Sequence, residues 1–256
     1  MKGGTGEIFC ENPRSPQAFN MTVLIYVLTA VVSYLVAAVN PAIVLSHLVY
    51  HRDIRKEGSG NPGFTNFHRV FGGKLSWLVF VLDIGKCVAV SLVAGLVFSP
   101  AYFSTRAFGA AYAGVFALLG HTYPVFYRFK GGKGFLVTFA LLWVLDWRAG
   151  LVATAVMLLV LPLSGYMSLS SILTLLGGAT TLVIAKTPAP ALFLTFGAVL
   201  LVIWRHRSNI ARLVAGTEKK FSFWKKKTPP EPVTEPTAEP AVTDEGEPAA
   251  IGGKEE

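Results

Sequence analysis

The chain has 256 residues, 52% of them hydrophobic and 15% charged, with a mean hydropathy of +0.52 and a formal net charge of +8. Apolar content that high, gathered into long blocks, excludes an ordinary soluble domain and points to an all-α, polytopic membrane protein. The positive surplus reads as an orientation signal and an attraction to anionic lipid, not as a nucleic-acid interface.

Seven apolar stretches run approximately over 21–50, 75–98, 107–121, 135–147, 149–165, 167–186 and 188–204, predicting about seven transmembrane helices. The first two and last two approach the roughly 20 residues that cross a hydrocarbon core. The first is long, lacks a small-residue cleavage site and contains Asn40-Pro41, so it reads as a span and not as a removable signal. Only Asp146, Trp147 and Arg148 separate the fourth and fifth, which leaves a re-entrant pair or two steep helices open. With the N-terminus outside, 17 of the 23 Lys and Arg residues fall on the inner side and five on the outer, with Lys86 inside a span. Positive-inside bias therefore predicts N-out, C-in.

Three parts are expected: an extracytoplasmic segment over 1–20, a membrane domain over 21–218, and a tail over 219–256. In the tail, Lys219 to Lys227 interleaves lysines with Phe221, Phe223 and Trp224, which suits an interfacial anchor. Residues 228–256 are rich in Pro, Glu, Thr and Ala and are expected to be disordered. Cys10 and Cys87 fall in different environments, and the five histidines show no metal-ligand spacing, so neither a disulfide nor a metal or other cofactor is expected. Nothing in the sequence sets an oligomeric state.

Chemistry concentrates in two Gly-rich loops predicted to share the cytoplasmic face. The first is Gly58-Ser59-Gly60-Asn61-Pro62-Gly63-Phe64-Thr65-Asn66, followed by Arg69. Its glycines permit a tight turn, Pro62 stiffens it, and Ser59, Asn61, Thr65 and Asn66 supply donors for an oxyanion that Arg69 can clamp. The second, Lys130-Gly131-Gly132-Lys133-Gly134, precedes a span, where free N–H groups and the helix dipole favour an anion. It lacks the Walker pattern of a nucleotide-binding loop.

Asp83 and Lys86 share a helical face inside the second span and read either as an internal ion pair or as a functional pair. His121 ends the third span. The loop from Ser164 to Ile172 carries hydroxyls, including Ser168, Ser170 and Ser171, that either bond their own helices or face a ligand. At the end of the last span, His206 and Asn209 lie three residues apart, and Arg205 and Arg212 can reach anionic groups. No Ser-His-Asp, Cys-His or paired-carboxylate set is evident on the inner side. The site offers cations and oriented donors, which suit an already activated donor substrate.

Gly-Ser-Gly-Asn-Pro-Gly-Phe-Thr-Asn with Arg69, Gly120-His121-Thr122-Tyr123-Pro124 running on to Lys130-Gly131-Gly132-Lys133-Gly134, and Tyr166 to Ile172 together resemble the bacterial acyl-phosphate:glycerol-3-phosphate acyltransferase family. The ending from Arg205 to Leu213, continuing to Gly216-Thr217-Glu218, is also similar to it. The resemblance implies a seven-span plasma-membrane enzyme, its site facing the cytoplasm, that moves the acyl group of acyl phosphate to the 1-hydroxyl of glycerol 3-phosphate. It also implies metal-free, substrate-assisted catalysis. Carried over by motif, Lys133, Ser59, His206 and Asn209 are the expected catalytic residues. Gly60, Asn61, Gly63, Thr65, Asn66, Arg69, Gly131, Gly132, Ser168 and Ser171 are the expected substrate-binding ones, with the glycine amides helping to hold the donor phosphate.

The chain departs from the family pattern at Phe64, where Ala is usual, at Leu136-Val137, where Ala-Thr is usual, and at Cys87, where Gly is usual. Each change enlarges a residue near a loop. An exporter or transporter of an organic phosphate, or a non-catalytic relative, are the alternative readings of the same anion-binding loops.

Overall fold

The computed structural model describes residues 16–221; the expected N-terminal segment up to residue 15, with Cys10, and the tail from 222 onward lie outside the described residues. All seven apolar stretches are occupied by helices. The first splits in two, α1 (Pro16–Ala38) and α2 (Pro41–Tyr50), because Asn40 caps α2 by accepting the Ile43 N–H at 3.1 Å and Pro41 cannot continue α1. A short turn of helix, α3 (Phe64–Val70), follows the first Gly-rich loop.

Next comes α4 (Gly73–Leu92), which continues through a π-helical segment, Val93–Phe98, into α5 (Ser99–Tyr102). Then come α6 (Arg106–Thr122) and α7 (Phe135–Leu145), with the second Gly-rich loop between them. Asp146 separates α7 from α8 (Trp147–Ser164) by capping α8 through the Arg148 N–H at 2.8 Å. The described chain closes with α9 (Met167–Ile184), α10 (Ala189–Arg205) and α11 (Arg207–Val214).

Among the described residues, four helical runs are long and apolar enough to cross a membrane: Phe19–Tyr50, Gly73–Tyr102, Trp147–Ser164 and Met167–Ile184. The pair α10 and α11, bent by 55° at His206, makes a fifth if it is counted as one broken span. The 11 residues of α7 rise only about 16 Å, half a hydrocarbon core. Helices approach closely where α6 presents Ala110, Ala113, Gly114 and Ala117, all buried. A methyl group at Gly114 would strike Leu141, and one at Gly120 would strike the Tyr34 carbonyl, so small residues set the α6 contacts with α7 and α1. This close packing brings both Gly-rich loops and the α10–α11 bend to one end of the bundle.

Candidate active site

The first loop is shaped from behind. Gly60, at φ +70°, takes the left-handed conformation that the turn needs. Asn66 is buried and fully engaged: its Oδ1 accepts from Ser59 N–H at 2.8 Å, and its Nδ2 donates to the carbonyls of Glu57 at 2.9 Å and Ile54 at 3.4 Å. Asn40 donates to the Pro62 carbonyl at 3.0 Å. Gly60 and Gly63 spend their N–H groups inside the loop, on Glu57 and Asn61 carbonyls at 2.8 and 3.0 Å. Ser59, Asn61 and Thr65 line a cavity of about 410 Å³, with Arg69 one turn along α3.

The second loop corrects the expectation that its glycine amides cradle a phosphate. Gly131 and Gly132 donate to the carbonyls of Thr122 and His121, at 3.2 and 3.1 Å, and neither lines the cavity. Both residues are glycine for a packing reason. A Cβ at Gly131 would meet the His121 carbonyl and the Pro124 ring, and one at Gly132 would meet the His121 imidazole. Arg205, expected to reach an anion, instead donates to the Gly131 and Gly132 carbonyls at 3.4 and 3.3 Å and lies over the Tyr123 ring. Gly134, at φ +87°, then turns the chain into α7, and Lys133 enters the cavity.

One buried network backs both loops. Lys86 lies 2.8 Å from Asp83 and 3.0 Å from His121 Nδ1, and it donates to the Val39 carbonyl at 3.4 Å. Val39 precedes Asn40, which holds the first loop, and the His121 carbonyl holds the second. The Asp83–Lys86 pair, left open by the sequence, forms and also includes His121, and Asp83 and His121 line the cavity.

Across the cavity, Ser168 and Ser171 come from α9, and His206 and Asn209 from the α10–α11 bend. Lys133 Nζ donates to Asn209 Oδ1. Asn209 Nδ2 donates to Glu218 Oε1 at 2.6 Å, Ser168 Oγ to the same oxygen at 2.8 Å, and Arg212 Nε to Glu218 Oε2 at 2.7 Å. His206 Nδ1 bonds the Val202 carbonyl at 2.8 Å, so the neutral ring carries its proton there and keeps the Nε2 lone pair available. Ser171 Oγ donates back to the Met167 carbonyl at 2.7 Å, leaving its lone pairs for an incoming donor.

Burial pushes the Lys133 ammonium down to about 8, further lowered by Arg212, Arg205 and Arg69 and opposed by Glu218. Burial by itself raises the Glu218 carboxyl, but the bonds from Asn209, Ser168 and Arg212 outweigh it and hold the group below the ordinary carboxylate range. An ionised carboxylate with three donors is a poor base for Ser168. The pair is therefore no nucleophile with its activator.

Of the residues expected from sequence, Ser59, Asn61, Gly63, Thr65, Asn66, Arg69, Lys133, Ser168, Ser171, His206 and Asn209 line this cavity, and Gly60, Gly131 and Gly132 stand behind it. Glu218 is the residue whose part sequence reasoning missed. Its signal was an acidic side chain within a strongly basic segment.

A family model described as glycerol-3-phosphate acyltransferase matches residues 27–216. The chain belongs to the glycerol-3-phosphate acyltransferase family. Relatives carrying that same name include one from Rhodospirillum rubrum, 39% identical over 82% of this chain and 97% of its own length. Another, from Thermoanaerobacter pseudethanolicus, is 38% identical over 76% of this chain and 95% of its own. The fold is similar to the crystal structure of PlsY (YgiH), described as an integral membrane glycerol 3-phosphate acyltransferase, in its glycerol 3-phosphate form. The TM-score is 0.71, with 32% identity over 77% of this chain and 96% of that one. Its lysophosphatidic acid form gives a TM-score of 0.69 at 30% identity. Family membership thus spans both Gly-rich loops and the α10–α11 bend.

Proposed function

We propose that this membrane protein transfers an acyl group from an acyl phosphate to the 1-hydroxyl of sn-glycerol 3-phosphate, giving lysophosphatidic acid and inorganic phosphate. The observation that carries this reading is the convergence of two donor sets on one cavity with Lys133 between them. Ser59, Asn61 and Thr65 suit the phosphate of the donor. Arg69, Ser168, Ser171, His206 and Asn209 suit glycerol phosphate, and Arg212 adds a second guanidinium to that side. A pocket this rich in donors and cations favours two phosphates over one.

In the proposed step the 1-hydroxyl oxygen attacks the acyl carbonyl carbon, the bond from that carbon to the phosphate oxygen breaks, and the phosphate leaves carrying the hydroxyl proton. Lys133 balances the charge that develops on the leaving oxygen and on the tetrahedral centre, inside a partly desolvated cavity where such charge counts for more than in water. The poor basicity of Glu218 agrees with a proton taken by the substrate's own phosphate. Residues 21–218 form the catalytic membrane domain in this reading, with seven spans, N-out, in the plasma membrane and the site open to the cytoplasm, as the 17-to-5 bias of basic residues suggests.

The test is release of phosphate and lysophosphatidic acid by purified protein. Phosphate should appear only when acyl phosphate and glycerol 3-phosphate are both present. Folded protein that makes no product with any donor length overturns the reading, and uptake of glycerol 3-phosphate into vesicles without acyl transfer would replace it with transport.

A further inference from the structure

The cavity has two unlike apolar walls. On one side Phe64 of α3 meets Trp77 and Phe80 of α4, with ring centroids 5.4 Å apart in each case, and it stacks on His68 at 5.7 Å. Phe221 approaches the same ring at 6.4 Å, and Trp77 and Phe80 are 5.8 Å from each other. Phe64 is 8% exposed, whereas Trp77 is 49% exposed and looks outward from the bundle. Rings held by several aromatic neighbours in a close-packed cluster have little room to yield. Leu136 packs against the Phe64 cluster as well, and the lining also includes Met157 of α8 and Met167 of α9. Methionine, unbranched and with three rotatable bonds, adapts to what it meets.

Phe64 stands between Gly63 and Thr65, beside the polar groups of the first loop. A chain whose phosphate is held by that loop begins alongside this ring. We propose that Phe64 is an acyl-chain selectivity residue: backed by Trp77 and Phe80, its ring closes the α3–α4 side of the cavity and turns the chain toward Met157 and Met167. The inference rests on the acyl-phosphate reading above. A rigid wall at the first carbons rejects bulk there, and the methionine side sets which lengths fit. Trp77 and Phe80 line the cavity beside Phe64, so removing the ring widens it on the side of the half-exposed Trp77 and gives longer chains a second course.

The test compares kcat/KM for acyl phosphates of graded length in the wild type, Phe64→Ala and Phe64→Leu, each as purified full-length protein with glycerol 3-phosphate. One methylene in an apolar pocket is worth about tenfold or more in discrimination. Phe64→Ala should therefore raise the long-to-short ratio by at least about tenfold. Phe64→Leu should raise it less, and the KM for glycerol 3-phosphate should stay unchanged in both. A ratio between donors is read within one variant, so loss of folded protein cancels from it, and the milder leucine change keeps the test open if alanine does not fold.

Met157→Phe should lower the long-to-short ratio in the wild-type background and not in the Phe64→Ala background. Active variants with an unchanged ratio overturn the role of Phe64, and an equal effect of Met157→Phe in both backgrounds overturns the proposed course. A wild type inactive with every donor fails the acyl-transfer reading itself.

Discussion

The two Gly-rich loops are alike in composition and differ in what they bring to the cavity. In the loop over 58–66, tight turns leave Ser59, Asn61 and Thr65 on the cavity wall, while Asn66 and Asn40 hold the turn from behind. In the loop over 130–134, Gly131 and Gly132 press on the end of α6 and only Lys133 and Gly134 reach the cavity. The cause lies in neighbouring acceptors. The last carbonyls of a helix lack intrahelical partners, and those of His121 and Thr122 take the glycine N–H groups before any ligand arrives. One loop is a ligand-facing surface, and the other is a mount for a single cation.

The contrast breaks most sharply at Lys133. Lys133→Ala should lower the rate of lysophosphatidic acid formation by about 10² to 10³, or about 2.7–4 kcal/mol, with the protein still folded. A rate within a few-fold of the wild type would return the second loop to a purely structural role.

Gly132→Ala tests the mount. Its new methyl group meets the His121 ring, which Asp83 and Lys86 hold from behind, so it cannot be accommodated by an easy side-chain swing. Overpacking of this kind costs about 1–3 kcal/mol. Thermal unfolding in detergent should fall accordingly, whereas Gly63→Ala, whose methyl group meets only the Asn61 side chain, should shift it little. Equal effects at the two glycines would erase the distinction between the loops.

Titration sharpens the same comparison. Lys133 binds an anion as an ammonium, which is present below about 8 and lost as pH rises through that value. The kcat/KM profile, which reports the free enzyme, should therefore fall on its alkaline side with an apparent pKa of about 8. Lys133→Arg should remove that limb because a guanidinium stays charged. Glu218→Gln should move it to lower pH, since Glu218 is the charge that opposes the lowering. A limb insensitive to both changes belongs to another group.

The smallest effect is expected in the first loop, where the donors are several. Asn61→Ala removes one hydrogen-bond partner of the donor phosphate and should raise the KM for acyl phosphate by about fivefold, near 1 kcal/mol, with stability unchanged. A loss as large as that of Lys133→Ala would make Asn61 the central residue of the site.

The helices themselves were legible in the chain, because a membrane helix is set by local apolar length. All seven stretches proved helical, and Asn40-Pro41 and Asp146 mark breaks by capping chemistry that needs no distant partner. The residue types of the site were legible too, in loops dense with Gly, Ser, Asn, Lys and Arg. Side-chain identity at a turn thus carried through to the cavity wall at Ser59, Asn61, Thr65 and Lys133.

Only the tertiary structure decided where each polar group spends its hydrogen bonds. The Gly131 and Gly132 amides were lost to α6 because the loop folds back onto that helix end, and Arg205 was lost to the same loop's carbonyls. Glu218 entered the site because Asn209 and Arg212 of α11 and Ser168 of α9 converge on its carboxylate, and Lys133 meets Asn209 across 76 residues. Hydropathy and turn chemistry are properties of neighbours in sequence and can be read from them. A donor's partner is whichever acceptor packing brings within reach, and at this site that depends on how helices from α3 to α11 close around one end of the bundle.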